Sequence, residues 1–199
     1  MTEAQDFERK RWVGLALLCV AQFMVILDAS IVNVALPTIG SALDFSQDDL
    51  SWVVNAYVLT FGGFLLLGGR MADLLGRRRV FMGGLILFAL ASLAGGLAES
   101  EGMLIASRAV QGLGAAILSP AALSIVTTTF RDGAERNKAL GAWGAVAGSG
   151  GAAGVLLEAF LEEHLDLEGL EEALMDLSRV TWLSPGVVAT VLKVAREER

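Results

Sequence analysis

Five stretches of this chain are apolar over a length that crosses a bilayer, and they crowd into residues 12–157 with only short connections between them. A hydrocarbon core about 30 Å thick is crossed by roughly 20 residues of helix, each rising about 1.5 Å. The stretches run approximately from Trp12 to Leu36, Trp52 to Leu67, Val80 to Ala98, Met103 to Val126 and Ala139 to Leu157. With no water inside lipid to bond the backbone, segments of this length must satisfy their own N–H and C=O groups as helices. Composition agrees: 54% of the 199 residues are hydrophobic, 19% are charged, and the mean hydropathy is +0.60. The expected fold class is therefore an all-α integral membrane protein, with five transmembrane helices over residues 12–157 and the lipid bilayer as its first partner. The first stretch is too long for the apolar part of a cleaved signal peptide and has no small-residue cleavage site, so it is read as a true span.

Orientation follows from the basic residues, because Lys and Arg in short loops are retained on the cytoplasmic side. Arg9, Lys10 and Arg11 precede the first stretch; Arg70, Arg77, Arg78 and Arg79 lie between the second and third; Arg131, Arg136 and Lys138 lie between the fourth and fifth. The intervening connections hold Asp44, Asp48, Asp49, Glu99 and Glu101, with no Lys or Arg. Residues 1–11 are thus expected in the cytoplasm of a cell whose plasma membrane the chain crosses several times, and the C-terminal residues outside. If the fifth stretch does not insert, those residues are cytoplasmic.

Two groups of residues carry chemistry. In GGRMADLLGRRRVFMGG, residues 68–84, the arginines are explained as topological anchors, but Asp73 is not. It either forms a helical pair with Arg77, four residues on, or belongs to a turn that Gly68, Gly69 and Gly76 allow to pack closely against a neighbour. Next, Asp28 is the one acid inside the first stretch and Arg108 a lone base inside the fourth. An Arg at the centre of a span costs about 2.5–3.5 kcal/mol to insert, so it should face a partner or a wet cavity. Counted along their helices, Asp28 lies roughly 12 Å and Arg108 about 8 Å from the same side, close enough in depth to pair. Such a pair either locks two helices together or handles a proton. Charge pairing and desolvation act on a carboxylate in opposite directions, so a conformational change in either loads or releases a proton.

The remaining polar residues are less directive. Gln22, Asn33 and Asn55 either bond neighbouring helices or line a substrate path, and Trp12, Trp52 and Tyr57 read as interfacial anchors. Cys19 is the only cysteine and His164 the only histidine, so no intrachain disulfide or metal site is expected. An acidic C-terminal region and basic residues already used as anchors argue against nucleic acid. The absence of any nucleophile, metal or phosphate motif argues against an enzyme.

The spacing Gly69-x-x-x-Asp73-x-x-Gly76-Arg77-Arg78 resembles the cytoplasmic loop motif that the major facilitator superfamily carries between its second and third spans. LIASRAVQGLGAA, with Arg108, Gln111 and Gly112, is similar to that family's fourth-span motif. LDASIVNVALP resembles the first-span signature of its drug:proton antiporter branch, whose members have about fourteen spans. The resemblance covers about residues 10–157. It implies a transporter without a cofactor that exports an amphipathic small molecule in exchange for protons. Asp28, Arg108, Gln111 and Asn33 would then serve the proton relay or substrate path. Gly69, Asp73, Gly76, Arg77 and Arg78 would form a cytoplasmic gate.

GAWGAVAGSGGAAGVLLEAF resembles the antiporter motif of the fifth span, where Gly148, Gly150, Gly151 and Gly154 would pack helices closely as the protein rocks. The usual pattern breaks at Val155, and the later glycine pair is replaced by Glu158 and Ala159. Residues 158–199 hold 4 basic and 10 acidic groups. Leu161, Leu165, Leu170, Leu174 and Leu177 recur there at helical spacing, as in a soluble amphipathic helix, and Ser184 with Pro185 opens a second short helix. This tail is expected to lie outside the family pattern, which continues with a sixth span and a second half. The chain therefore reads as an N-terminal transporter fragment, and three possibilities stand. It transports when a partner chain supplies the missing spans; it is an inactive membrane stub whose tail binds another protein; or residue 157 is a frameshifted or artificial junction.

Overall fold

A computed structural model describes residues 3–130 and 133–163, and all the regular structure among them is helical. Five helices follow in order: α1 Glu3–Ala42, α2 Gln47–Leu75, α3 Arg77–Gly96, α4 Glu101–Thr129 and α5 Ala134–Glu163. Four of them contain one of the apolar stretches and overrun it at both ends; α3 starts before the third stretch and stops at Gly96, two residues short of its expected end. The expected boundaries followed hydropathy, whereas polar residues at a membrane surface extend a helix freely if their backbone bonds continue inside it.

Local sequence explains the breaks. Ser46 caps α2 by accepting from the Asp49 amide at 3.0 Å, and its hydroxyl donates to the Asp49 carboxylate at 2.7 Å. Asp48 and Asp49 in the first turn suit the positive end of the helix dipole. Ser100 caps α4 through the Met103 amide. Between α2 and α3 a single residue turns the chain: Gly76, with φ +94°, ends one helix and begins the next. That conformation is open to glycine and strained for residues with a Cβ.

By length and composition, α1 to α4 are able to cross a membrane. The fifth apolar stretch lies on α5, a 30-residue helix. Leu17, Val20, Leu59, Leu66, Ile86 and Leu90 point outward, as a lipid-facing surface requires. The 158–163 part of the expected tail continues α5; residues 164–199, with His164 and the second short helix, lie outside the described residues, as does Arg131.

Two packing regimes divide the bundle. Helix α4 packs most extensively, against α2 on one side and α3 on the other, while α1 pairs mainly with α5. Lipid tails are as apolar as leucine, so helices in a membrane associate through close backbone approach and polar contacts. The α2–α4 seam has the first kind: a Cβ on Gly112 would collide with the Tyr57 carbonyl and the Thr60 hydroxyl, and one on Gly68 would meet the Ala116 carbonyl and lie 2.9 Å from the Ile117 Cα. Proline at position 120 cannot donate to the carbonyl four residues earlier, which is that of Ala116. The carbonyl released by Pro120 is thus the one that Gly68 approaches. On the other side of α4, Gly114 sits against the Phe88 backbone, with the amide nitrogen 2.7 Å from where its Cβ would be.

The α1–α5 pair uses the second kind of contact at the end of the bundle bearing the N-terminus. Arg11 forms an ion pair with Glu135 of α5, and its guanidinium lies 5.1 Å from the Phe130 ring centroid. Trp12 packs on the same ring at 5.1 Å, tilted by 60°. Arg11, one of the basic residues expected on the cytoplasmic side, has a side chain only 11% exposed, because an aromatic face and a carboxylate close over its charge.

Candidate functional site

The buried charge in the bundle is gathered where α1, α2 and α4 meet. Arg108 and Gln111 stand three residues apart on α4, so both project to one face, and Asp28 comes from α1. The Arg108 Nη1 donates to Asp28 Oδ2 at 2.7 Å and to Gln111 Oε1 at 2.7 Å, and Gln111 Nε2 donates to Asp28 Oδ1 at 2.7 Å. The three side chains thus close a ring in which both carboxylate oxygens and the amide oxygen are satisfied. Burial is unequal: the Arg108 side chain is 5% exposed and that of Asp28 16%. The carboxylate is the member of the pair with a way out.

Helix α2 supplies a cradle that the sequence did not reveal. The Arg108 Nε donates to the Val53 carbonyl at 3.3 Å, and the guanidinium carbon lies 4.4 Å from the centre of the Tyr57 ring. Tyr57 was expected at the membrane surface; instead it is buried and stacks at 6.1 Å on Phe61. A signal existed. Val53, Ala56, Tyr57 and Thr60 recur at helical spacing, and Gly112 next to Gln111 marks where another helix comes close.

Asn33 is not part of this cluster. It is exposed, one and a half turns beyond Asp28, and its amide donates to the Ala29 carbonyl at 2.7 Å, within its own helix. Asn55 is also exposed. Gln22 is tied to no neighbouring helix, and its buried Oε1 has no hydrogen-bond partner among the described residues.

The residues expected in a loop between the second and third spans lie almost wholly on helices. Gly69 and Asp73 belong to the last turns of α2, Arg77 and Arg78 open α3, and Gly76 alone is the loop. A hydrogen-bonded backbone persists to Leu75 because only Gly76 breaks the helical geometry. Asp73 and Arg77 approach at 3.8 Å with side chains 57% and 41% exposed, a weak helical-range pair in water. Gly69 contacts Pro120 of α4, where a Cβ would stand 3.7 Å from the ring. Arg78 is exposed. Of the four glycines expected to pack α5 tightly, Gly148 faces open space among the described residues. Gly150, Gly151 and Gly154 lie on α5.

The chemistry available in the ring follows from its members. The guanidinium is a permanent cation, so a change of charge in the ring falls on the carboxylate. Ionised, Asp28 accepts from both neighbours. Protonated, it loses the charge attraction that holds α1 to α4.

A sequence model of the Major Facilitator Superfamily matches residues 18–194, from within α1 to beyond residue 157, where the quoted motifs stop. The chain is 50% identical over 162 residues to the puromycin resistance protein pur8 of Streptomyces alboniger, a match covering 81% of this chain and 32% of that protein. It is 52% identical over 152 residues to the cephamycin export protein CmcT of Amycolatopsis lactamdurans, covering 76% and 31% respectively. With the lincomycin resistance protein of Streptomyces lincolnensis it shares 41% over 144 residues, covering 70% and 30%. The chain thus spans about a third of the length of the curated relatives it matches. It belongs to the major facilitator superfamily, whose members are transporters rather than enzymes, and it is a multi-pass membrane protein.

Proposed function

We propose that this member of the major facilitator superfamily takes part in the export of an amphipathic small molecule across the plasma membrane, driven by protons moving inward. The observation that carries the reading is the closed ring of Asp28, Arg108 and Gln111, a titratable carboxylate held at 2.7 Å by a permanent cation inside the bundle. Asp28 is the proton carrier. Arg108 and Gln111 hold its ionised form, and a proton arriving through the exposed edge of the carboxylate loosens α1 from α4. The printed names of the relatives, resistance and export proteins for puromycin, cephamycin and lincomycin, support efflux of amphipathic compounds as the direction and cargo.

The N-terminus lies in the cytoplasm, since Arg9, Lys10, Arg70, Arg78 and Arg79 gather at one end of the bundle and the acidic turns at the other. At that end Gly69, Asp73, Gly76, Arg77 and Arg78 form a gate, with Gly76 as its joint. Alternating access in this architecture rocks two helix repeats around a midplane site. The wall opposite Asp28 is therefore supplied by helices beyond those described, including those of a partner chain. Gly148, Gly150, Gly151 and Gly154 of α5 offer it a surface of small residues for close packing. The transport unit extends from residue 12 to 157, and residues 158–199 form an appended segment.

Proton-gradient-dependent efflux of a fluorescent cationic dye from cells expressing the chain tests the reading, with Asp28→Asn and Arg108→Ala variants compared at matched membrane abundance. Efflux above that of control cells, lost in both variants and on collapsing the gradient, is expected. Efflux that survives both substitutions, or none above control from a chain that reaches the membrane, overturns it.

A further inference from the structure

The contacts of Arg108 divide unevenly between helices, and the division separates those that depend on a proton from those that do not. Asp28, on α1, is the one carboxylate partner among the described residues. The others are the Gln111 amide oxygen on α4 itself and, on α2, the Val53 carbonyl at 3.3 Å and the face of Tyr57 at 4.4 Å. The last two draw nothing from the charge of Asp28. They are also rigidly placed: Gly112, one turn along α4, brings the α2 backbone so close at Tyr57 that a Cβ would lie 3.0 Å from the Tyr57 Cα. Against this, α1 packs thinly on both α2 and α4 and extensively on α5. A guanidinium left alone in a span is costly, and an aromatic face lowers that cost without needing a countercharge.

We propose that Tyr57 is a positioning residue for Arg108: its ring face, with the Val53 carbonyl, holds the guanidinium in place when Asp28 has lost its charge. The permanent cation then stays with α2 and α4 throughout the cycle, and the partner that departs is α1. Where α1 goes rests on the proton-carrier reading of Asp28; the grip of Tyr57 on Arg108 does not. Tyr57 is distinct from the relay, since it exchanges no proton with the ring and contributes only the electrostatics of its face.

The test is made on the purified full chain in lipid nanodiscs. Position 57 carries Phe or a series of phenylalanines with one, three and five ring fluorines, which strip the ring of its negative face while leaving its size almost unchanged. The melting temperature is recorded with Asp28 intact and in Asp28→Asn, where the side chain is neutral yet still offers an acceptor, as the protonated acid does. The expected result is a stepwise fall of several degrees with fluorine number in both chains, at least as steep in Asp28→Asn, and a flat series in Arg108→Met. The same series at Phe61, which stacks on Tyr57 without touching Arg108, is expected to produce no fall and needs no loss of Arg108. A flat series at position 57, a fall that disappears in Asp28→Asn, or an equal fall at Phe61 overturns the proposal. None of these outcomes depends on transport, so a failed efflux assay and a failed grip are told apart.

Discussion

Two Asp–Arg pairs in this bundle look alike in sequence and differ in almost everything else. Asp28 and Arg108 come from helices 80 residues apart in the chain, meet at 2.7 Å and are largely withdrawn from solvent. Asp73 and Arg77 are four residues apart, meet at 3.8 Å and are about half exposed. In the first case each charge has lost its water and depends on its partner, so removing one leaves the other stranded. In the second, water replaces whatever the partner supplied. The contrast separates two kinds of pair: one joins α1 to α4 away from water, while the other can be made and broken at little cost.

The comparison is most severely tried by Asp28→Leu, which removes the acceptor of both Arg108 and Gln111. A loss of about 3–5 kcal/mol in stability is expected from breaking a buried pair in this way, read as a lowered midpoint in denaturing-detergent titration. An effect below about 1 kcal/mol would mean that the ring is wet and the pair no different from Asp73–Arg77. The seam behind the ring comes next. In Gly112→Ala the new Cβ strikes the Tyr57 backbone, so a loss of about 1–3 kcal/mol is expected, whereas Gly141→Ala, in open space, is neutral or mildly stabilising in the same titration. Equal effects would show that close approach between α2 and α4 does not matter.

Smaller changes sharpen the picture. Arg11→Ala breaks the ion pair with Glu135 that joins α1 to α5, in surroundings intermediate between the other two pairs, and should cost about 1–2 kcal/mol. Proteolysis near the N-terminus would then quicken in the variant. Asp73→Asn should change stability by no more than about 0.5 kcal/mol. If the gate reading is right, its effect on dye efflux will nonetheless be many-fold. A stability loss comparable with that of Asp28→Leu would collapse the distinction between the two pairs.

Pairing of Asp28 with Arg108 was legible in the sequence, because a charge in a span needs a partner and equal depth along two helices narrows the candidates. Gln111 was legible through its spacing from Arg108 and the motif it shares. Tyr57 was legible only in part: its helical spacing with Val53, Ala56 and Thr60 marks a face, but an aromatic near the end of an apolar stretch also looks like an interfacial anchor, and packing decides between the two. Asn33 failed for a related reason, since a short amide on a helix finds a carbonyl of its own helix as readily as one across the bundle.

What the sequence by itself determined is what hydropathy, charge asymmetry and short-range geometry reach: helices in lipid, their order, and the charged break between the second and third. Its motifs determined the family. The tertiary structure alone decided which face of each helix meets which. It placed α4 between α2 and α3, set the carbonyl released by Pro120 against Gly68, and laid the guanidinium of Arg108 on a tyrosine two helices earlier in the chain. Rotation of a helix about its axis leaves its length, depth and mean polarity unchanged. It is fixed instead by which small residues let two backbones touch, and that is a property of pairs of helices.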